Sequence, residues 1–330
     1  MDGVMMNQHA FGKGMTYSGL SIAEILHRLK VPPDFAAGNS LYTPPVWVHR
    51  HTHDAEIYFV ANQSDVPQDI DARFRVAGKD VQIWRPMDGT MTGNKPVHEA
   101  AYTSVANIED RSGNRQPGLQ PAAYVAEPGF TTVPLHLAER ESVFVVFRNA
   151  APASSRTAPV MREATLTSLD NAWTVNFPAH WGAPPSITMP KLAPWTDSTI
   201  PGVKYFSGTA TYTRTIQAPA AWFRPGQRIW LDLGKVCDIA EVMMNGRSVG
   251  VSWAPPYRLD VTAELHPGVN RIEIGITNEW TNRKIGDRTL PEDQRILSPS
   301  GVPERFFGRA QTLPESGLIG DVRLIADRPQ

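Results

Sequence analysis

Three histidines alternate with other residues at positions 49, 51 and 53. In a β-strand alternate side chains point to the same face, so the imidazoles of His49, His51 and His53 would lie roughly 6.5–7 Å apart. Imidazole is a common metal ligand, and three on one face could hold a transition metal. A metal site usually draws its ligands from different elements, however, whereas these three come from one short run. We therefore expect no metal site here.

Two segments in the second half of the chain combine aromatic and polar residues in a way that could bind a sugar. Trp253 and Tyr257 flank a rigid Ala-Pro-Pro bend. Aromatic rings offer apolar faces to the C–H surfaces of a sugar, while amide and guanidinium groups satisfy its hydroxyls. The alternative is that both rings plug the end of a β-sandwich, and the residues alone leave both interpretations open.

The second segment, residues 278–283, places two amides, an indole and a guanidinium within six residues. Polar groups at this density cost free energy if they are buried without partners. The segment therefore predicts either a tight loop network or a face that binds a ligand. The candidate sugar-binding residues in this half of the chain are Trp253, Tyr257, Asn278, Trp280, Asn282 and Arg283.

The sequence contains no residue that we can assign to catalysis, and it predicts no cofactor. Asp54, Glu56, Glu279 and Asp287 lie near aromatic or polar clusters, but a turn or a salt bridge accounts for each. The GxSxG, P-loop and Rossmann motifs are absent. The single cysteine, Cys237, excludes an internal disulfide framework and predicts a buried structural thiol.

The composition limits the possible fold classes and the possible binding partners. The chain has 330 residues, 41% hydrophobic and 20% charged, which is enough to bury a core. Its 25 glycines and 29 prolines favour turns and short strands over long helices. A net charge of −1 argues against nucleic acid or an anionic membrane as the main partner. Neither a signal peptide nor a spanning apolar run is visible, so the residues leave the localisation unknown.

One helix can be predicted near the start of the chain. Ser21 and Glu24 form a capping box, in which each side chain satisfies the other's backbone N–H. Apolar residues then recur at helical spacing until Pro32 and Pro33 end the helix.

The remaining elements are predicted to be β-strands in two β-sandwich domains. Period-2 runs bounded by turn residues lie on both sides of a small, polar, proline-punctuated linker at residues 149–159. The second series of strands suits a jelly roll. The predicted organisation is a helical segment at 1–40, an antiparallel β domain at 41–150 and a jelly-roll sandwich at 160–330.

The second half of the chain also carries a series of short motifs in a fixed order. They are Tyr205–Tyr212, Leu231–Gly234, Ala240–Val242, Asn245–Gly246, Val249–Gly250, Pro256–Arg258, Pro267–Asn270, Thr277–Asn278 and Trp280–Arg283. This order resembles the sugar-binding, galactose-binding-like jelly roll of family 2 glycoside hydrolases. With Gly286–Asp287 and Ser316–Gly320, the series is similar to the C-terminus of family 106 glycoside hydrolases, the α-L-rhamnosidases.

The first half shows a matching resemblance. Val48–Arg50 and Asp54–Asn62 resemble the segment of family 106 in which the catalytic barrel leads into its β domains, and Val31–Phe35 with the capped helix resembles the end of that barrel. The resemblance implies that the His49-Arg50 pair lies near the rim of the active site. The candidates for sugar contact in this half are therefore His49, Arg50, Tyr58 and Asn62. The alternative is that they fasten the β domain to the barrel.

The resemblance also bears on activity. Family 106 enzymes are inverting glycosidases, which need a carboxylic acid and a carboxylate roughly 6.5–9.5 Å apart. They carry both on a barrel with a nearby calcium ion, and such a barrel needs about 250 residues. The short segment before the first β domain cannot form one, so the resemblance implies that the catalytic residues lie upstream. It also implies a periplasmic or extracellular location.

Two functions are consistent with these observations. The chain is either the C-terminal accessory part of a rhamnosidase-like hydrolase, seated on an upstream barrel and contacting a rhamnose-containing glycan, or a stand-alone carbohydrate-binding or structural β-sandwich protein. An exposed apolar patch on residues 17–35 and the adjoining β domain would favour the first, because an interface without its partner leaves apolar surface uncovered.

Overall fold

The computed structural model describes residues 7–38, 43–87, 89–92, 122–157, 161–297 and 312–329. The chain divides into two compact units, Met1–Ala158 and Pro159–Gln330. The described residues form mostly β-strands with three short α-helices, which confirms the predicted fold class. None of the described helices has the length and the apolar composition that a bilayer crossing requires.

The first unit is a sandwich of two five-stranded antiparallel sheets. The first sheet contains β3 (Phe35–Gly38), β6 (Gln68–Phe74), β9 (Tyr124–Glu127), β10 (Phe130–Leu137) and β12 (Ser155–Arg156), in the order β12-β9-β10-β6-β3. The second contains β4 (Val46–His51), β5 (Glu56–Ala61), β7 (Lys79–Arg85), β8 (Thr90–Thr92) and β11 (Ser142–Ala150), in the order β4-β5-β11-β7-β8. A hairpin of β1 (Asn7–Phe11) and β2 (Gly14–Ser18) and the helix α1 (Ile22–Arg28) precede them.

Aromatic side chains from both sheets meet in the core of the first unit. Phe74 of β6 packs against Tyr58 of β5 and Phe147 of β11, with ring centroids 4.8 and 5.3 Å away. All three side chains are fully buried. The period-2 pattern of β6, in which buried and exposed residues alternate along its length, therefore directs one face of the strand into this core.

The helix α1 begins as the capping box predicts. The Ser21 hydroxyl accepts a hydrogen bond from the Glu24 backbone N–H, and the Glu24 carboxylate accepts one from the Ser21 N–H at 2.7 Å. No residue of α1 is buried. The cap therefore stabilises a helix whose apolar residues are not buried in the core of this unit.

The second unit is a sandwich of a four-stranded and a six-stranded antiparallel sheet. The smaller sheet contains β13 (Met161–Ser168), β17 (Arg228–Asp232), β21 (Arg258–Asp260) and β24 (Arg323–Pro329), in the order β13-β24-β17-β21. The larger contains β14 (Asn171–Asn176), β15 (Ser186–Lys191), β16 (Thr209–Ala218), β19 (Ile239–Met244), β20 (Arg247–Ser252) and β22 (Gly268–Thr277), in the order β15-β14-β16-β22-β19-β20. β18 (Val236–Cys237) pairs with β23 (Gly317–Leu318), and the helices are α2 (Pro201–Lys204) and α3 (Thr281–Thr289).

A tryptophan–tyrosine pair organises the core of the second unit. The Trp195 indole donates a hydrogen bond of 2.6 Å to the Tyr212 hydroxyl, which also accepts one from the Leu318 backbone N–H at 3.2 Å. Burial raises the pKa of Tyr212. Gly317 has a φ of +103°, and a Cβ there would lie 2.9 Å from the Trp195 indole nitrogen. Only glycine fits this backbone conformation in this space.

The Asn245-Gly246 dipeptide forms the hairpin turn that its sequence indicates. Both residues have positive φ, 54° and 76°, as a type I′ turn requires. The Asn245 side chain donates to the Glu264 carbonyl and to the Asn270 side chain at 2.8 Å, and accepts from the Arg271 N–H at 2.9 Å. The turn and the network together fix the register of β19 on β20.

The structure differs from the predicted elements around the linker. Residues 149–159 include the end of β11 and the strand β12, which pairs with β9, while residues 158–159 lie outside the described ranges. Their small, polar composition suits a sheet edge as well as a linker. Similarly, β3 lies within the predicted helical segment and pairs with β6.

Candidate functional site

The first unit exposes an unusual number of large apolar side chains near its start. Ile22, Leu26 and Leu29 lie on one face of α1 and its last turn, because residues three and four apart share a helix face. Ile22 is 76% exposed and Phe11, at the β1–β2 turn, is 78% exposed. We call the following residues the exposed apolar set: Phe11, Met15, Ile22, Leu26, Leu29, Val31, Val46, Trp47 and Val48.

A hydrogen-bonded cluster surrounds His49 on β4. The His49 Nδ1 lies 2.8 Å from the Asp34 carboxylate and its Nε2 lies 3.0 Å from the Glu56 carboxylate. The imidazole stacks on the Tyr58 ring at 4.0 Å, and the Tyr58 hydroxyl donates to Asp34 at 3.1 Å. The cluster ties the segment before β3 to strands β4 and β5.

Glu56 is shared by two histidines. His51 Nδ1 lies 2.9 Å from the second oxygen of Glu56, so His49 and His51 face the same side of β4. The strand ends at His51, and His53 lies beyond it. Among the described residues no group of three or more His, Cys, Asp or Glu side chains is placed to hold a metal ion.

The other first-unit candidates differ in accessibility. Arg50 is exposed and donates to the His49 carbonyl, whereas Tyr58 is fully buried. Asn62 is also buried; its amide donates to the Val66 and Ala138 carbonyls at 2.8 Å, and its oxygen accepts from neighbouring donors in the same loop. Tyr58 and Asn62 therefore have structural roles beneath the surface of the first unit. His49 and Arg50 are the two candidates that solvent reaches.

In the second unit the fold brings several predicted residues to one end of the six-stranded sheet. The register aligns Thr277 of β22 with Ile239 of β19, and Ala240 with Ser252 of β20. The residues just beyond these pairs are Asp238, Trp253, Asn278, Glu279 and Trp280. By strand spacing, Trp253 lies roughly 10 Å from the end of β22.

Trp280 has an aromatic neighbour that the sequence did not indicate. Its ring lies 5.2 Å from that of Trp181, with 48° between the planes. Trp280 is 47% exposed, and Trp181 is half-buried against the core. No motif surrounds Trp181, and a long stretch of chain separates it from Trp280, so their contact follows only from the fold.

The polar residues around Trp280 form a loop network, as one of the two sequence interpretations proposed. The Asn278 side chain accepts from the Gly208 N–H and donates to the Phe206 carbonyl, both at 2.9 Å. Asn282 is buried and donates to the Pro314 carbonyl at 2.9 Å. These contacts fasten the end of β22 to other segments of the unit.

Arg283 and Asp287 form a buried ion pair on α3. Their closest atoms lie 2.7 Å apart, and the Arg283 side chain is almost completely buried. The Asp287 carboxylate also accepts hydrogen bonds from the backbone N–H groups of Ile296 and Leu297. The ion pair offsets part of the cost of burying both charges, and the two backbone donors further stabilise the Asp287 carboxylate. Arg283 is therefore part of the scaffold beneath Trp280.

The remaining candidates separate into exposed and supporting residues. Trp253 is 60% exposed and has no aromatic partner among the described residues. Tyr257 packs against the core, and its carbonyl accepts from the Leu233 N–H at 2.8 Å. Cys237 is half-buried, and burial raises the pKa of its thiol, which lowers the fraction of reactive thiolate.

Comparison with known families confirms the resemblance seen in the sequence. Residues 2–96 match the family model described as alpha-L-rhamnosidase. Residues 199–313 match the model described as the galactose-binding domain-like part of glycosyl hydrolase 2. The second match confirms the predicted galactose-binding-like jelly roll in the second unit.

Two similar proteins bear the names of glycosidases. The rhamnosidase from Novosphingobium sp. PP1Y is 36% identical with a TM-score of 0.80, and the match covers 97% of this chain and 27% of that one. A putative beta-glucuronidase of Formosa agariphila is 35% identical over 176 residues, which are 47% of this chain and 15% of the relative. The chain thus spans less than a third of either protein.

Proposed function

We propose that this chain is the C-terminal accessory part of an α-L-rhamnosidase-like glycoside hydrolase. In this proposal it seats against a catalytic barrel and adds contacts to a rhamnose-containing glycan. The acid and the base of an inverting hydrolysis lie in the barrel, as does any calcium ion that the family uses. The described residues of this chain supply support and binding surface, not the reacting carboxylates.

The observation that carries this proposal is the exposed apolar set. Every one of its members lies within residues 2–96, the range that matches the alpha-L-rhamnosidase model. Burying a large apolar side chain contributes about 1.5–3 kcal/mol. Several such side chains on one partner supply enough free energy to offset the cost of association. A catalytic barrel is the partner that the family match favours.

The same observation weighs against a stand-alone sandwich protein. A self-sufficient sandwich seldom exposes many large apolar residues close together in the sequence, because they promote association and aggregation. The apolar residues of α1 have the spacing of a helix that packs on a partner, yet none of them is buried. A stand-alone protein has no use for such a helix.

For the carbohydrate contacts we propose the candidates that solvent reaches. In the first unit these are His49 and Arg50, and in the second unit Trp253 and Trp280. The buried and half-buried candidates hold these side chains in place: Tyr58, Asn62, Tyr257, Asn278, Asn282 and Arg283.

Association with a barrel can be tested by supplying one in trans. We would co-express this chain with the part of the Novosphingobium rhamnosidase outside the matched segment. We expect the two to co-purify and to hydrolyse an aryl α-L-rhamnoside. Leu26→Glu should abolish co-purification, because it places a charge in the apolar face of α1. Val269→Glu, on the exposed side of β22, is the matched control and should have no effect.

The purified chain alone should release no product from the same rhamnoside above the buffer rate. Saturable turnover by the chain alone would show that it carries its own catalytic residues. If wild type and Leu26→Glu co-purified with equal amounts of the barrel fragment, the exposed apolar set would not be the interface.

A further inference from the structure

We propose that Trp181 and Trp280 form a stacking platform for a neutral glycan at one end of the second unit. This inference rests on the proposed function, in which the chain binds carbohydrate. It adds the location of the binding surface and the chemical class of the glycan. It assigns a role to Trp181, which the sequence did not single out, and it separates the Trp280 surface from that of Trp253.

The geometry of the pair suits a sugar. The ring centroids are 5.2 Å apart and the planes are inclined by 48°, so the two indoles form an open wedge rather than a closed stack. Single exposed aromatic residues are common on protein surfaces, whereas two in contact, from separate segments, present a larger apolar surface. The exposed part of the indole pair can pack on the C–H side of a pyranose ring or on the methyl group of a 6-deoxyhexose.

The Trp181 side of the wedge is held rigidly. Gly182 follows Trp181 with a φ of +78°, and Gly202 of α2 lies so close to the Gly182 carbonyl that any Cβ on Gly202 would collide with it. The two backbones therefore pack directly on each other. A binding residue that is fixed before its ligand arrives loses less conformational entropy when the ligand binds.

The Trp280 side is held by the network beneath it. Asn278 fixes the chain just before Trp280, through its contacts with Phe206 and Gly208. The buried Arg283–Asp287 pair fixes α3 just after it. Trp280 is thus exposed on a short segment anchored at both ends, which is the arrangement of a preorganised contact rather than of a mobile loop.

The charged groups beside Trp280 favour a neutral ligand. Asp238 and Glu279 are exposed, and the Glu279 N–H donates to the Asp238 carboxylate at 3.2 Å. Carboxylates accept hydrogen bonds from sugar hydroxyls and repel the carboxylate of a uronic acid. Two basic residues of α3 lie nearby: Lys284, and Arg283, whose charge is already paired with Asp287. A rhamnosyl or other neutral oligosaccharide should therefore bind more tightly than one that ends in a uronic acid.

The test is calorimetric titration of the full chain with a rhamnose-terminated oligosaccharide and with its analogue that ends in glucuronic acid. We expect Trp280→Ala to weaken binding of the first about tenfold, which corresponds to about 1.4 kcal/mol. Trp181→Phe, which keeps the packing beneath the ring, should weaken it a few-fold. Val251→Ala is the matched control: Val251 is 51% exposed on β20 of the same sheet but lies outside the pair, and its loss should change the Kd by less than twofold.

Each outcome decides the inference. Unchanged binding in Trp280→Ala and Trp181→Phe would overturn the platform while leaving a carbohydrate role elsewhere in the chain, such as at Trp253. Tighter binding of the glucuronic acid analogue would overturn the assignment to a neutral ligand. Absence of binding by the folded wild type would overturn the platform altogether, and association with a barrel through the first unit would still stand on its own co-purification test.

Discussion

At the scale of single residues, Glu56 shows how an ion cluster makes stability depend on pH. Burial raises the pKa of its carboxyl group, but hydrogen bonds from His51 and His49 lower it by more, and the net pKa lies below the ordinary value of 4.5. A carboxyl group whose pKa is lowered by folding stabilises the folded state above its unfolded pKa. That contribution is lost as the pH falls through the folded pKa.

We therefore expect Glu56→Gln to make the thermal stability of the first unit depend less steeply on pH in the acid range. Wild type should lose thermal stability progressively below about pH 4.5, and the variant should start less stable at pH 7 but lose less over the same range. Melting curves between pH 3 and pH 7 measure both. Asp69→Asn is the control, since the Asp69 side chain is 87% exposed. Parallel pH profiles for wild type and Glu56→Gln would contradict the expected role of Glu56.

At the scale of elements, β23 depends on one close contact. Gly317 opens this strand with a φ of +103° and lies against the Trp195 indole and the Tyr212 hydroxyl, at 2.9 and 3.0 Å from the position of a Cβ. Gly317→Ala should therefore combine backbone strain of about 1–3 kcal/mol with a collision in the core.

Gly268→Ala isolates the strain from the collision. Gly268 has a similar φ of +99°, but nothing lies within 4 Å of its Cβ position. Chemical denaturation should show that Gly317→Ala destabilises the second unit clearly more than Gly268→Ala. If the two variants lost the same free energy of unfolding, β23 would be able to shift away from Trp195 and Tyr212 without destabilising the unit.

Two strands that the sequence did not predict, β10 and β15, contain a proline. Pro134 lies within β10, but the pairing of β10 with β9 stops at Thr132, so Pro134 has a partner strand on one side alone. Pro190 lies in β15, which is an edge strand. Proline is tolerated in both positions because no second neighbour requires its missing N–H. Local sequence does not show where a neighbouring strand ends. For that reason β10 and β15 could not be predicted from it.

The helix α3 was missed for a different reason. Its sequence, TNRKIGDRT, has low helix propensity and contains an internal glycine. Tertiary contacts form it nonetheless: Arg283 pairs with Asp287 one turn later, and Gly286 lies where a Cβ would overlap the Tyr205 side chain. By contrast, the capping box of α1 and the Asn245-Gly246 turn act locally, and the sequence predicted both.

At the scale of the whole molecule, the exposed apolar set should make the isolated chain associate with itself. The formal net charge is −1, which offers little electrostatic repulsion between copies. We expect light scattering to show an apparent mass that rises with concentration, and Leu26→Glu to reduce this rise. Val269→Glu adds the same charge to the second unit and should leave the rise unchanged. A concentration-independent monomer would contradict the predicted self-association.

The candidate site was predictable only in part at this scale. The motifs around Trp253 and Trp280 were visible because they lie in short runs of unusual composition, and the strand register then brings them to one end of a sheet. Trp181 carries no such local signal, and its position beside Trp280 depends on how β14 and β22 are arranged around β16. The sequence also did not show whether a polar residue faces solvent or a buried partner. Asn62 and Arg283 illustrate this, because both are buried.

The hydrogen bonds of Asn245 also bear on how the chain ages. Spontaneous deamidation of asparagine begins when the next backbone nitrogen attacks the side-chain amide, and a following glycine leaves that nitrogen unshielded. Here the amide is held by Glu264, Asn270 and Arg271, so the contacts that build the hairpin also restrict the side-chain rotation that the attack requires. The covalent lifetime of this residue is therefore tied to the folded state, and each unfolding event exposes it to irreversible chemical change.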